Sequence, residues 1–198
     1  MDEAADLKTH YANFPWQNFP WQNAIIHFTR VMGFVHIGNM DFAKGELKEL
    51  TNIYDTLTMQ KDSYKANQVQ IQIKTGEAWI RWKEGKNSEA LILMNLAADM
   101  EDKTEKHPVT PGEVIPAREF LGDMLLQLNK PDKALEMYEA DLKTHPKRFN
   151  GIYGAGLSAE KSGKTEKAKL YYSQLLSICS ANSNRLELNK IKMYLMRH

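Results

Sequence analysis

The sequence predicts an all-α protein, an α-α superhelix of about four helical hairpins closed by a C-terminal capping helix. Three observations carry this. From Thr165, the segment TEKAKLYYSQLLSIC places Ala168, Tyr171, Tyr172, Leu175, Leu176 and Cys179 on one apolar helical stripe, and no comparable stretch alternates as a strand would. Helix breakers recur at hairpin intervals, at Gly38-Asn39, Gly85-Lys86-Asn87, Asn129-Lys130-Pro131, His145-Pro146 and Ser162-Gly163. Finally, the stretch from Leu121 matches the stretch from Ala155 at an offset of 34 residues, pairing Gly122 with Gly156, Ala134 with Ala168 and Tyr138 with Tyr172.

These signals divide the chain into an N-terminal extension, 1–19, expected to pack on the first hairpin, and one helical repeat domain, 20–198. The hairpins are expected at about 20–60, 62–103, 114–145 and 148–179, and the capping helix at 184–196. An oddity straddles the boundary between extension and repeat domain: FPWQNFPWQN, from Phe14 to Asn23, writes the same five residues twice. A period of five matches neither helix nor strand, so the repetition is not the face of one element. Pro20 suits the first turn of a helix, where its missing N–H costs nothing, and Phe14, Phe19 and Trp21 can cover the end of the first hairpin. Capping is favoured over a docking motif because an unstacked terminal repeat must hide its apolar face. At the other end, Asn184 followed by Glu187 resembles a capping box and predicts a last helix from about Arg185 to Leu195.

Bulk properties exclude several classes. A chain of 198 residues buries about 70% of its unfolded surface in one core, so it needs no disulfide staples, and the lone Cys179 agrees. With 26 Lys and Arg against 25 Asp and Glu, no excess of one sign marks a nucleic-acid or anionic-membrane binder. Apolar runs stay well short of the roughly 20 residues a bilayer span needs, and the opening Met-Asp-Glu-Ala-Ala-Asp is unlike a signal peptide. The expected location is cytoplasmic, or periplasmic or exported if the chain comes from a longer precursor.

The 34-residue offset, with small residues where paired helices approach and aromatics between neighbouring hairpins, gives a family resemblance. Through Leu121, Gly122, Ala134, Tyr138 and Pro146 in one unit, and Gly156, Gly163, Ala168 and Tyr172 in the next, the chain resembles the tetratricopeptide repeat family. Diverged units follow Phe34, Gly38, Ala43 and Leu47, and Gly85, Ala90, Met94 and Ala97. The blocks FPWQNAIIHFTR, EKHPVTPGEVIPAREFLGDMLL and PKRFNGIYGAG look similar to the C-terminal part of bacterial tetratricopeptide proteins without assigned activity. The resemblance implies a non-catalytic protein-binding module whose first helices line a concave groove. Its wall would then present Phe28, Met32, Gln72, Thr75, Trp79, Glu119, Asp123, Asn150, Tyr153 and Leu157. Family members that clamp a carboxyl-terminal peptide present Lys, Arg and Asn there, but Pro116, Phe120 and Gly154 fill some of those places here.

Other features resemble catalytic machinery. GAGLSA, from Gly154, fits a loose dinucleotide fingerprint, and GLSAEKSGKT ends like a phosphate loop, but both lie inside a helical repeat rather than after a strand. None of the six histidines pairs with another one turn away, so no metal and no cofactor is expected. The cluster Glu101, Glu105 and His107 reads first as a solvated helix end. Trp79 and Trp82, three residues apart, read first as core packing. Alternatives to a peptide- or helix-binding groove are a ligand, metal or enzymatic pocket near the 105–119 loop, built from His107, Arg118 and Glu119, and a self-associating scaffold of a larger parent. The expected partner is a protein or peptide, with a homo-oligomer possible and neither nucleic acid nor membrane.

Overall fold

The computed structural model describes residues 2–9, 14–105, 113–180 and 183–198, and His107 therefore lies outside the described residues. The all-α expectation holds: the described residues form ten α-helices and one 3-10 turn, with no strand among them. They group into two compact units, Met1–Ala117 and Arg118–His198.

In the first unit, α1 (Asp2–Ala5) is followed by a 3-10 turn at Trp16–Asn18, then α2 (Pro20–Ile37), α3 (Met40–Met59), α4 (Ser63–Lys83) and α5 (Asn87–Asp102). The helices α2 with α3 and α4 with α5 form hairpins, and α4 packs against both α2 and α3. Gly76 permits that approach, since a Cβ there would stand 3.0 Å from Val31 and 3.2 Å from Leu47. Two contacts fix the N-terminal segment on α2. Arg30 donates from Nε and a terminal nitrogen to the Leu7 carbonyl at 2.9 and 2.8 Å, and α1 lies so close to Gly33 that a Cβ there would fall 2.2 Å from the Ala5 nitrogen.

The doubled pentapeptide takes two conformations. In the first copy Trp16, Gln17 and Asn18 form the 3-10 turn; in the second Pro20 opens α2 and Trp21 is buried in the core. Phe14 packs at a tilt against Trp16 and Phe19 at ring separations of 4.7 and 5.0 Å, an aromatic patch that stays partly exposed.

The second unit contains α6, which runs Ala117–Gln127 and enters the unit at Arg118, then α7 (Pro131–Thr144), α8 (Phe149–Lys161), α9 (Thr165–Ile178) and α10 (Leu186–Arg197). The turn geometry is shared with the first unit. The first helix of each of the four hairpins ends on a left-handed residue, Gly38 (φ 84°), Gly85 (φ 79°), Asn129 (φ 53°) or Gly163 (φ 70°). Five residues after each comes a fully buried alanine, Ala43, Ala90, Ala134 or Ala168. The left-handed residue reverses the chain at little steric cost when it is Gly or Asn, and the small side chain lets the returning helix close on the first.

Between hairpins the spacer is a tyrosine against glycine. The Tyr138 ring of α7 is flanked by Gly122 of α6 and Gly154 of α8, where an added Cβ would meet ring carbons at 2.7 and 2.3 Å. At the 34-residue offset, Tyr172 of α9 fills the same kind of slot beside Gly156, at 2.5 Å. Tyr172 also meets Tyr194 of α10 edge-on at 5.2 Å.

One sequence expectation fails locally. The last helix begins at Leu186, its N-cap is Arg185 in extended conformation, and no side chain caps it, so Asn184 and Glu187 form no capping box. The reason is that Arg185 is committed elsewhere: its guanidinium lies 4.1 Å over the Phe149 ring, which draws the chain into the helix one residue later.

Two outcomes follow from these glycines. Gly154→Ala forces the doubly walled Tyr138 ring to move and lowers stability by about 1 to 3 kcal/mol; thermal melting measures it, with Gly45→Ala, on open surface inside α3 and expected to stabilise by about 0.5 to 1 kcal/mol, as the control. Gly33→Ala expels α1 from its seat, so trypsin cuts after Lys8 faster while the helical signal of the repeats stays unchanged.

Candidate functional site

The ten residues expected on the concave wall divide between the two units. In the first unit Phe28, Met32, Gln72, Thr75 and Trp79 are all buried. Trp79 sits between His36 of α2 and Trp82, with ring separations of 5.1 and 5.3 Å, as core packing requires. Phe28, Gln68, Gln72 and Thr75 are faced by the chain's own Glu113, Val114 and Ile115, and the void left among them is about 10 Å³. That space does not admit a ligand, and Gln72 Oε1 is buried there without a hydrogen-bond partner among the described residues. This stretch of wall is interior, closed among the described residues by the chain itself.

The second unit differs. Asp123 and Asn150 are exposed, while Tyr153 and Leu157 are half-buried, on α6 and α8. Glu119 is the exception at 1% exposure, and it locks the two helices together by pairing with Arg148, whose Nε lies 3.0 Å and whose terminal nitrogen lies 3.3 Å from its two carboxylate oxygens. Gly151 lets α8 come close here, because a Cβ would stand 3.6 Å from Glu119 and 3.4 Å from Asp141. Phe149 stacks on Tyr153 at 6.3 Å under the Arg185 guanidinium, so cation and aromatics line the base of this face. Burial raises the Tyr153 hydroxyl above its usual range, with the Glu187 and Glu160 charges adding to it.

Three acids give the face its electrostatics. Asp141 is buried, with Oδ1 2.8 Å from His145 Nδ1 and Oδ2 without a hydrogen-bond partner among the described residues. Burial raises its pKa, against the pull of His145. Asp123 accepts a hydrogen bond from the Tyr138 hydroxyl. Although Asp123 keeps solvent access, the protein packed around its carboxylate pushes it up to about 6; the Tyr138 bond opposes the rise and the Glu119 charge adds to it.

For the alternative pocket, His107 lies outside the described residues, and Arg118 and Glu119 turn to different helices. Arg118 reaches Met137 Sδ of α7 at 3.4 Å, whereas Glu119 holds Arg148 at the N-cap of α8. Glu101 accepts a hydrogen bond from the Ala117 backbone nitrogen at 2.7 Å. Among the described residues no group of three His, Cys, Asp or Glu is placed to hold a metal. The glycines of GAGLSA lie in mid-helix, where they accommodate Tyr138 and Tyr172 rather than a phosphate. No described helix is long and apolar enough to cross a membrane.

Sequence reasoning missed two features. A cleft of about 660 Å³ opens among α3, α4 and α5, floored by Leu47, Ile80 and Leu93. Its rim charges neutralise one another: Glu84 takes Lys44 at 2.8 Å, Arg81 at 3.1 Å and Lys86 at 3.2 Å, which hold its carboxyl down at about 2. The Asp141, His145 and Arg148 cluster also went unseen, although His145, four residues after Asp141 and at the C-cap of its helix, was a usable signal. No protein-family model matches the chain, and neither does any curated protein.

The Asp123 carboxyl makes stability pH-dependent in a definite sense. Its folded pKa of about 6 lies above the ordinary aspartate value of 3.8, so its contribution is fully present below about pH 3.8 and is lost as pH rises through 6. Melting temperature measured from pH 4 to 7 therefore falls less steeply in Asp123→Asn than in the parent, because Asn still accepts the Tyr138 hydroxyl but does not ionise.

Proposed function

We propose that this chain is a non-catalytic protein-binding module of the tetratricopeptide kind, holding a partner segment on the α6 and α8 face of the second unit. The observation that carries the proposal is that Asp123, Asn150 and Tyr153 keep open surface on two helices already clamped by Glu119–Arg148 and by Tyr138 between its glycines. A face fixed in advance loses little entropy when a partner docks. Kinship with the repeat family is supported by the four left-handed turns with alanine five residues on, and by the paired glycine–tyrosine slots at the 34-residue offset.

The chemistry of the face selects the partner segment. Asp123 forms no ion pair with a cation among the described residues, so a Lys or Arg of the partner completes it. An apolar side chain beside that cation packs on Tyr153 and Leu157, and the Asn150 amide fixes register by hydrogen bonding to the partner backbone.

Affinity capture with the chain as bait tests this. Tyr153→Ala and Asp123→Lys, each verified as folded by helicity and melting, reduce recovery of a given partner about tenfold or more, whereas Lys133→Glu, at an exposed position of α7, leaves it nearly unchanged. Equal recovery by the parent and both folded face variants removes this face from consideration.

A further inference from the structure

The last helix buries one side and leaves the other uncovered. Leu188 and Ile191 are buried, whereas Leu186, Met193 and Met196 are 76%, 51% and 84% exposed. With Asn189, the exposed residues recur at intervals of three, four and three, the a-d-a-d spacing by which one helix packs along another. We infer that this stripe of α10 is a docking seam for a separate amphipathic helix, apolar at its own seam positions and acidic along both flanks. This surface is distinct from the α6 and α8 face and does not depend on it.

Charge decides the occupant. Lys190 and Arg197 border the seam on one side and Lys192 borders it on the other, in the positions that choose a partner in helix pairs. None of the three forms an ion pair among the described residues, although elsewhere in the unit Lys164 pairs with Asp132 at 2.7 Å, Lys167 with Glu139 at 2.7 Å and Lys169 with Glu166 at 3.0 Å. A second copy of α10 would set these cations against their own counterparts in either orientation, so self-pairing is opposed. An acidic-flanked helix instead meets a cation on each edge. The seam spans about 15 Å, two to three turns, and carries no Trp or Phe of the kind that anchors an interfacial helix in lipid. Methionines at two of its positions adapt to the partner's side chains.

A labelled synthetic peptide of about three heptads, Leu at a and d and Glu at e and g, is the probe, and fluorescence anisotropy reads its binding to the whole chain. The expected result is binding that weakens about tenfold or more when salt is raised from about 0.05 to 0.5 M, in the Met193→Glu/Met196→Glu variant, and when the peptide carries Lys in place of Glu. Lys190→Glu/Lys192→Glu leaves the apolar seam intact and reverses the preference toward the Lys peptide. Absence of Glu-peptide binding, or equal binding to parent and both variants, overturns the proposal. So do two other outcomes: chain retained on phosphatidylserine vesicles through Met193 and Met196 while the peptide is not bound, which assigns the seam to lipid, and a dimer in sedimentation that the same substitutions dissociate, which assigns it to a second copy.

Discussion

Everything in this chain depends on how closely two antiparallel helices can approach just after they turn. The left-handed residue at Gly38, Gly85, Asn129 or Gly163 sets the angle of return, and the alanine five positions later sets the distance. Neither device works without the other. A larger residue at Ala134 would hold the helices apart and withdraw Tyr138 from Gly122, and with it the contact that fixes α6 against α8. The packing of one hairpin is thus a condition for the slot that receives the next.

Within the second unit, apolar packing sets the spacing and polar pairs set orientation. Glu119 with Arg148, Asp141 with His145 and Asp123 with Tyr138 all engage α6, α7 or α8 close to the glycine slots. Desolvation makes such pairs poor sources of net stability, but a misplaced helix would strand a buried carboxylate at a cost of several kcal/mol, which penalises alternative registers strongly. The upward pull on Asp123 and Asp141 is the trace of that desolvation. The neighbouring open side chains inherit a rigid base from it.

The local rules of the fold were legible in the sequence and the long-range ones were not. Gly38, Gly85 and Gly163 announced their turns because a left-handed backbone favours glycine, and the offset between Tyr138 and Tyr172 announced a repeated slot. What covers a helix face is a different kind of information. Phe28 and Gln72 occupy the register of an open wall, yet Val114 and Ile115, some forty residues beyond Gln72 in the chain, lie against them, and no periodicity encodes that meeting. The Asn184 signal misled for a related reason, since Arg185 over Phe149 is a tertiary contact that outcompetes a local cap. Of the expected site, Asp123, Asn150 and Tyr153 kept open surface because no other segment crosses them among the described residues.

The doubled pentapeptide has a mechanical consequence. Pro20 in a helix interior would lack its N–H and collide with the carbonyl of Trp16 four residues back, so α2 cannot be extended backwards through it. The proline is a bulkhead: whatever lies upstream is isolated from the phase of the helix downstream. The two copies of FPWQN therefore sit on opposite sides of that break: the second keeps the seat of Trp21, while the first forms the 3-10 turn outside the helix.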